Sequence, residues 1–160
     1  MRRGVLEAAA VTAAALCFVA PASALHNGPA AHRSVQHSLA RTFDWPALGI
    51  ITTPFTHWHH GIDIGMLRSL TVRAAAAGRV ELVGYATGFE GYGEIVAVQV
   101  APHVLTLYAH LSSYRVHPGE HVRMGQMLGI AGCTGMCTGT HLHFEVRENG
   151  IAVDPRYFLH

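Results

Sequence analysis

From Trp45 onward the chain is a succession of short apolar runs, each closed by glycine, proline or a polar break. Residues in Ile95-Val96-Ala97-Val98-Gln99-Val100 and Val104-Leu105-Thr106-Leu107-Tyr108 alternate as strand positions do, and Ala101-Pro102-His103 between them predicts a hairpin connection. The same texture predicts strands over Gly49–Phe55, Ile62–Met66, Thr71–Ala74, Gly78–Tyr85, Glu94–Val100, Val104–His110, Gln126–Ala131 and His141–Arg147. No helical period is sustained after Trp45, and Ala74–Ala77 is too short to form a helix alone. Short strands with turn signals every eight to twelve residues or so predict an all-β fold, a folded antiparallel sheet or sandwich with little helix.

Ahead of Trp45 the pattern is different. Met1-Arg2-Arg3 is basic, an uncharged Ala-rich run extends from Ala8 to Ala20, and Ala22-Ser23-Ala24 supplies small residues. That order describes a secretory signal cleaved after Ala24, with an uncleaved anchor as the alternative. The run is broken by Pro21 and falls short of the roughly 20 apolar residues of a spanning helix, so stable membrane insertion is not expected once the signal is removed. Leu16 directly before Cys17 makes a poor lipidation site. Residues 25–44 carry few large apolar side chains and no clear period, which predicts a flexible leader. The expected organisation is a signal peptide over 1–24, a leader over 25–44 and one domain over 45–160, a length suited to a single core. The location expected is secreted, periplasmic or associated with the cell wall.

Charge narrows the partners. The formal net charge is +1 and the chain contains no lysine. Loss of Arg2, Arg3 and Glu7 with the signal leaves arginine and acidic residues equal in number. A balanced domain has no broad positive field, which argues against nucleic acid as a partner. Histidine is the compositional outlier, with 13 copies against 11 for lysine and arginine together.

Histidine spacing points to chemistry. On a strand, His141 and His143 face one side about 6 to 7 Å apart, while Leu142 faces the other. Either both bind one metal, or one binds it and the other moves protons; spacing alone leaves both open. Asp63 follows His59 by four residues with Gly61 between. A regular strand would hold that pair about 13 Å apart, so a bend is needed to bring both onto one ion. Two histidines and an aspartate suit Zn²⁺, whose catalytic sites keep three protein ligands and one water. His60 has the opposite parity and is expected to face away from the metal, and His57 has no carboxylate at the matching offset. His110 stands at the end of an apolar run, and a glycine-rich stretch, Gly125–Thr140, leads into the His141 strand. Within that stretch Cys133 and Cys137 are candidates for a small disulfide in an oxidising compartment, or for a pair of zinc thiolates. His26, His32, His37, His103, His117, His121 and His160 are scattered and read as polar surface.

In order and spacing, HHGIDI, YAHLS, VHPGEHVRMGQMLGIAG, the TG–TG turn, THLHFEVR and the closing VDP resemble the M23 (LytM, lysostaphin-type) zinc endopeptidases, which cleave peptide cross-links in bacterial cell walls. The likeness runs from about Thr52 to Phe158. It implies one Zn²⁺ per chain held by His59, Asp63 and His143, with His141 and His110 beside it. It further implies His141 as the base and His110 as the group steadying the tetrahedral oxyanion, two roles that the pair can exchange. Peptidoglycan peptides are the implied partner, and a non-catalytic wall-binding or hydrolase-activating module on the same fold is the alternative. Thr56-His57-Trp58 departs from the family, where glycine and arginine often follow the phenylalanine, which affects the wall of the substrate cleft. No feature of the sequence sets an oligomeric state.

Overall fold

The computed structural model describes residues 39–40 and 42–160, so the expected signal peptide and most of the leader lie outside the described residues. Ten strands make up the domain: β1 (Gly49–Thr53), β2 (Ile62–Met66), β3 (Thr71–Arg73), β4 (Gly78–Gly84), β5 (Glu94–Ala101), β6 (Val104–Tyr114), β7 (His121–Val122), β8 (Met127–Ala131), β9 (His141–Glu148) and β10 (Ile151–Val153). Among the described residues one 3₁₀ turn, Pro155–Tyr157, follows them. The pairings between these strands are all antiparallel, in the order β1-β2-β9-β6-β5-β4-β7, with β10 on β9 and β8 bridging β6 and β3. The fold is all-β.

Strand alternation places the core. Along β9, Leu142, Phe144 and Val146 enter the main cluster with Ile62, Ile64, Val96, Val98, Tyr108 and Leu111. The intervening residues His141, His143, Glu145 and Arg147 take the other face. That second face carries a smaller apolar cluster, in which Ile95, Leu107 and Ala109 pack with Leu82, Ala86, Phe89 and Tyr92. Both faces of β5 and β6 are therefore covered, which explains their nearly unbroken apolar runs. Tyr108 is fully buried, and its hydroxyl accepts the Ala75 N–H at 2.8 Å, anchoring the β3–β4 connection to the centre of the sheet.

Four sequence expectations need correction. β6 continues past His110 to Tyr114 because a bulge lets the strand keep pairing: Val96 faces Tyr108 and Glu94 faces Leu111, so the β6 side holds an extra residue. The two-residue β7 and three-residue β10 carry too little period to register as strands. For β10 a turn signal is present: Asn149 and Gly150 both have positive φ, 52° and 80°, between the paired Glu148 and Ile151. The packed domain also begins before Trp45. Phe43 is 2% exposed, forms a parallel bridge with Leu159 and stacks on Phe158 at 5.4 Å, so the end of the expected leader belongs to the core.

Candidate metal centre and catalytic cleft

The site forms where β2 lies against β9. Their register sets Asp63 directly opposite His143. His59 precedes β2 on a tight turn in which its N–H meets the Thr56 carbonyl and hydroxyl, and its carbonyl accepts the Thr56 N–H at 2.9 Å. That turn supplies the bend: His59 Nε2 comes to 3.1 Å from Asp63 Oδ1. From the opposite strand His143 Nδ1 reaches the same oxygen at 2.9 Å. The donor atoms of His59, Asp63 and His143 all lie within 4.8 Å of one another.

Two neighbours complete the cleft. His141, two positions before His143, places Nε2 3.6 Å from Asp63 Oδ1. His110 sits at the β6 bulge with φ of 60°, a conformation costly for a residue with a Cβ. Its N–H donates to the Tyr92 carbonyl at 2.9 Å and its carbonyl accepts from Gly132 at 2.9 Å, which holds the bulge in place. The kink turns the ring toward the cleft, 4.8 Å from the His141 ring and 5.9 Å from that of His143.

Carbonyl partners determine which nitrogen each ring offers. A carbonyl oxygen only accepts, so the nitrogen facing it must carry the proton. His59 Nδ1–H donates to Pro54 O at 3.0 Å, His110 Nδ1–H to Thr134 O at 2.8 Å, and His141 Nδ1–H to Gly139 O at 2.7 Å. Each of these rings therefore offers an Nε2 lone pair to the cleft. His143 is turned the other way: Nε2 lies 3.0 Å from Glu145 Oε1, which leaves Nδ1 facing Asp63.

Electrostatics follow from this packing. Burial alone would raise the Asp63 carboxyl, but hydrogen bonds from His143 and Thr53 and the nearby His59 outweigh it and bring the pKa down to about 2. Burial pulls His110 below the usual histidine range, and the neighbouring His141 and His143 reinforce that, so its neutral form is favoured. His143 is raised despite burial, because two carboxylates, Asp63 and Glu145, flank its ring. A divalent cation between the donors would take the place of that proton.

The donor set fits zinc. Tetrahedral Zn²⁺ with bonds near 2.0–2.1 Å separates its ligand atoms by roughly 3.3 Å. The 3.1 Å and 2.9 Å spacings around Asp63 come close to that edge. The cluster opens into a cavity of about 340 Å³ whose lining includes the exposed Trp58, Glu90 and Met136. His60 stays out of the donor cluster, but its exposed side chain lines this cavity rather than turning away from it. His57 packs edge-on against the largely exposed Trp58 at 4.8 Å. His103, His117, His121 and His160 are exposed, and His26, His32 and His37 lie outside the described residues.

Cys133 and Cys137 are joined as a disulfide, with Cα atoms 5.3 Å apart, so neither is a metal thiolate in this structure. The loop they close docks on the β4–β5 connection. Met136 N–H donates to Gly91 O at 2.7 Å, and the Thr134 hydroxyl accepts the Glu94 N–H at 3.0 Å while donating to Leu111 O at 2.8 Å. Thr134 thereby sets both the loop and, through its carbonyl, the His110 tautomer.

Sequence reasoning misses Glu145, Tyr92 and Arg147. Glu145 is fully buried, accepting from the Tyr92 hydroxyl at 2.6 Å and from Arg147 Nε at 2.5 Å as well as lying against His143. A signal exists in the chain, because period-2 alternation carries the face of His141 and His143 on to Glu145 and Arg147.

An antiparallel sheet that gathers two histidines and an aspartate beside two more histidines forms a candidate metal site of the kind a metallopeptidase would need. The chain belongs to peptidase family M23, whose family model matches residues 57–155. It is similar to the DD-carboxypeptidase/endopeptidase Mpg of Neisseria meningitidis, 43% identical over 97 residues, or 61% of this chain and 22% of that protein. It is also similar to the murein hydrolase activator NlpD of Escherichia coli, 33% identical over 121 residues, or 74% of this chain and 31% of that one. Among solved structures, a zinc-containing peptidase from Vibrio cholerae aligns with a TM-score of 0.66 and 28% identity, covering 73% of this chain and 40% of that one. The chain spans about a fifth to a third of the length of these curated relatives.

Proposed function

We propose that this protein is a zinc metalloendopeptidase of the bacterial cell envelope that hydrolyses peptide cross-links or cross-bridges of peptidoglycan. The observation that carries the reading is Asp63 Oδ1 held between His59 Nε2 and His143 Nδ1 within one cleft that His110 and His141 also enter. The names of the relatives support both the substrate and the envelope location.

Zn²⁺ held by His59, Asp63 and His143 would supply Lewis acidity, polarising a carbonyl and making water acidic enough to lose a proton near neutral pH. The chain supplies the proton handling. With Nδ1–H tied to Gly139 O, His141 presents a basic Nε2 next to the donor cluster, and it takes the proton from the attacking water. The same nitrogen then returns that proton to the leaving amine. His110 starts neutral with its Nε2 lone pair toward the cleft, so it donates to the developing oxyanion only after that nitrogen takes up a proton from solvent in the open cleft as negative charge accumulates. Asp63, ionised across the whole physiological range, would offset one of the cation's two positive charges.

A second reading, a non-catalytic module that activates other hydrolases, is favoured by the similarity to NlpD. Against it stand the three metal donors and both proton-handling histidines, all in place.

Incubation of the full chain with purified wall sacs, followed by mass spectrometry of the released fragments, tests the enzyme reading. New amino and carboxyl ends should appear, disappear with a chelator, and return with added Zn²⁺. Intact sacs from every wall type, with metal-loaded protein and His143→Ala indistinguishable, would sink it in favour of the activator.

A further inference from the structure

Of the four histidines at or beside the donor cluster, His59, His110 and His141 are held by backbone carbonyls. His143 alone is held by a carboxylate, Glu145. Glu145 is fully buried on a face whose partner position across the sheet, Leu107, is apolar. Burying a carboxylate costs several kcal/mol before its partners compensate, and replacing buried ion pairs with apolar side chains is often neutral or stabilising. Fold stability is therefore a weak reason for a carboxylate at this position. Its partners show a better one. Tyr92 O–H, Arg147 Nε–H and His143 Nε2–H all point at its two oxygens. Arg147 is braced in turn by the Phe89 ring, 5.0 Å from its Cζ, and the Tyr92 ring packs edge-on against His143 at 5.3 Å.

We propose that Glu145 is the positioning residue of this metal centre: by accepting the Nε2–H of His143 it fixes that ring's tautomer and rotation, so that Nδ1 presents its lone pair to the cation. Tyr92 and Arg147 hold Glu145 in that pose. A carboxylate acceptor does more than a carbonyl would, since it also increases the electron density on the opposite nitrogen and makes it a stronger donor. Gly61 belongs to the same device. A Cβ there would sit 2.9 Å from both His143 Nε2 and Glu145 Cγ, so the absence of a side chain leaves room for the pair.

The inference rests on the metal-site reading, and the test separates the two. Zinc affinity of the full chain is measured at one pH by competition with a chromophoric chelator, for wild type, Glu145→Gln, Glu145→Ala and Tyr92→Phe. Nitrogen-15 spectra of the metal-free proteins, recorded at a pH high enough for the His143 ring to be neutral, report which of its nitrogens carries the proton, and thermal unfolding reports the fold. Glu145→Gln is expected to bind zinc 10- to 100-fold more weakly. Glu145→Ala should lose at least as much, Tyr92→Phe a few-fold, and His143 should lose its single Nε2–H tautomer in both Glu145 variants. Should a Glu145 variant fail to fold, Tyr92→Phe, which leaves the carboxylate in place, carries the comparison. Affinities within twofold of wild type and an unchanged His143 tautomer would overturn the inference while leaving the metal site standing. Variants that unfold at lower temperature but bind zinc normally when folded would overturn it too, reducing Glu145 to a structural ion pair. Wild type that binds no zinc would sink both readings together.

Discussion

A methyl group placed on the α-carbon of Gly61 would lie 2.9 Å from His143 Nε2 and 2.5 Å from the Phe144 carbonyl oxygen. Gly61 is not among the residues with positive φ, so close approach of β2 to β9 accounts for it, not backbone freedom. Gly61→Ala is expected to cost about 1–3 kcal/mol through overpacking. It should also weaken zinc binding, because one of the atoms displaced belongs to a proposed ligand. Urea unfolding and a zinc titration on the same variant check both; a stability loss with unaltered zinc affinity would show that the backbone yields without moving the ring.

Removing the shared ligand should empty the site. Asp63→Asn and His143→Ala are expected to reduce zinc from about one per chain to near zero by elemental analysis, and to abolish chelator-sensitive hydrolysis of wall sacs. Zinc retained in full by both variants would show that the metal sits elsewhere.

The two remaining histidines should behave differently from the ligands. His141→Ala and His110→Ala are each expected to lower kcat by about 10² to 10⁴ while zinc content stays normal. Full activity in either variant would remove that residue from the proton-handling pair. The tautomers tied to Gly139 O and Thr134 O are the reason both are expected to count.

Tyr108 predicts an alkaline limit to stability. Burial raises its pKa from 10.0 to about 12. The folded state thus holds a proton that the unfolded chain releases near pH 10. Its contribution is complete below pH 10 and is lost as pH rises toward 12, by about 3 kcal/mol in all. Tyr108→Phe should cost about 1–3 kcal/mol at neutral pH, since the buried Ala75 N–H loses its acceptor. The same variant should flatten the decline between pH 10 and 12, where urea unfolding would show the two proteins converging.

The disulfide closes a very short loop, so its effect on the unfolded chain is modest. Replacing Cys133 and Cys137 together by serine is expected to cost about 2 kcal/mol and to lower Tm by on the order of 10 °C. An unchanged melting curve would mean that the docking of Met136 on Gly91 holds the loop unaided.

Much of the fold is legible in the order of residues alone. The boundaries of β2 follow directly, because Gly61 and the residues after Met66 interrupt a run of alternating apolar positions. β7 and β10 leave no such trace, since two or three residues hold no period and pairing with another strand defines them. His110 reads as a strand end because a bulge leaves no mark in a hydrophobic pattern, only in the ladder opposite it. Phe43 reads as linker because its partners, Phe158 and Leu159, lie at the far end of the chain.

By itself the sequence determined the all-β class, the shared face of His141 and His143, and the family, since alternation and motif spacing are local properties of the chain. Only the tertiary structure decided that His59 offers Nε2 and His143 Nδ1, that His110 turns into the cleft, and that Glu145 stands behind His143. Those facts depend on the register of β2 against β9, which joins Asp63 and His143 across 80 residues of chain. A hydrophobic pattern states which face a side chain takes. It carries no information on which residue of another strand will lie opposite, or on which nitrogen of a ring that neighbour will hold.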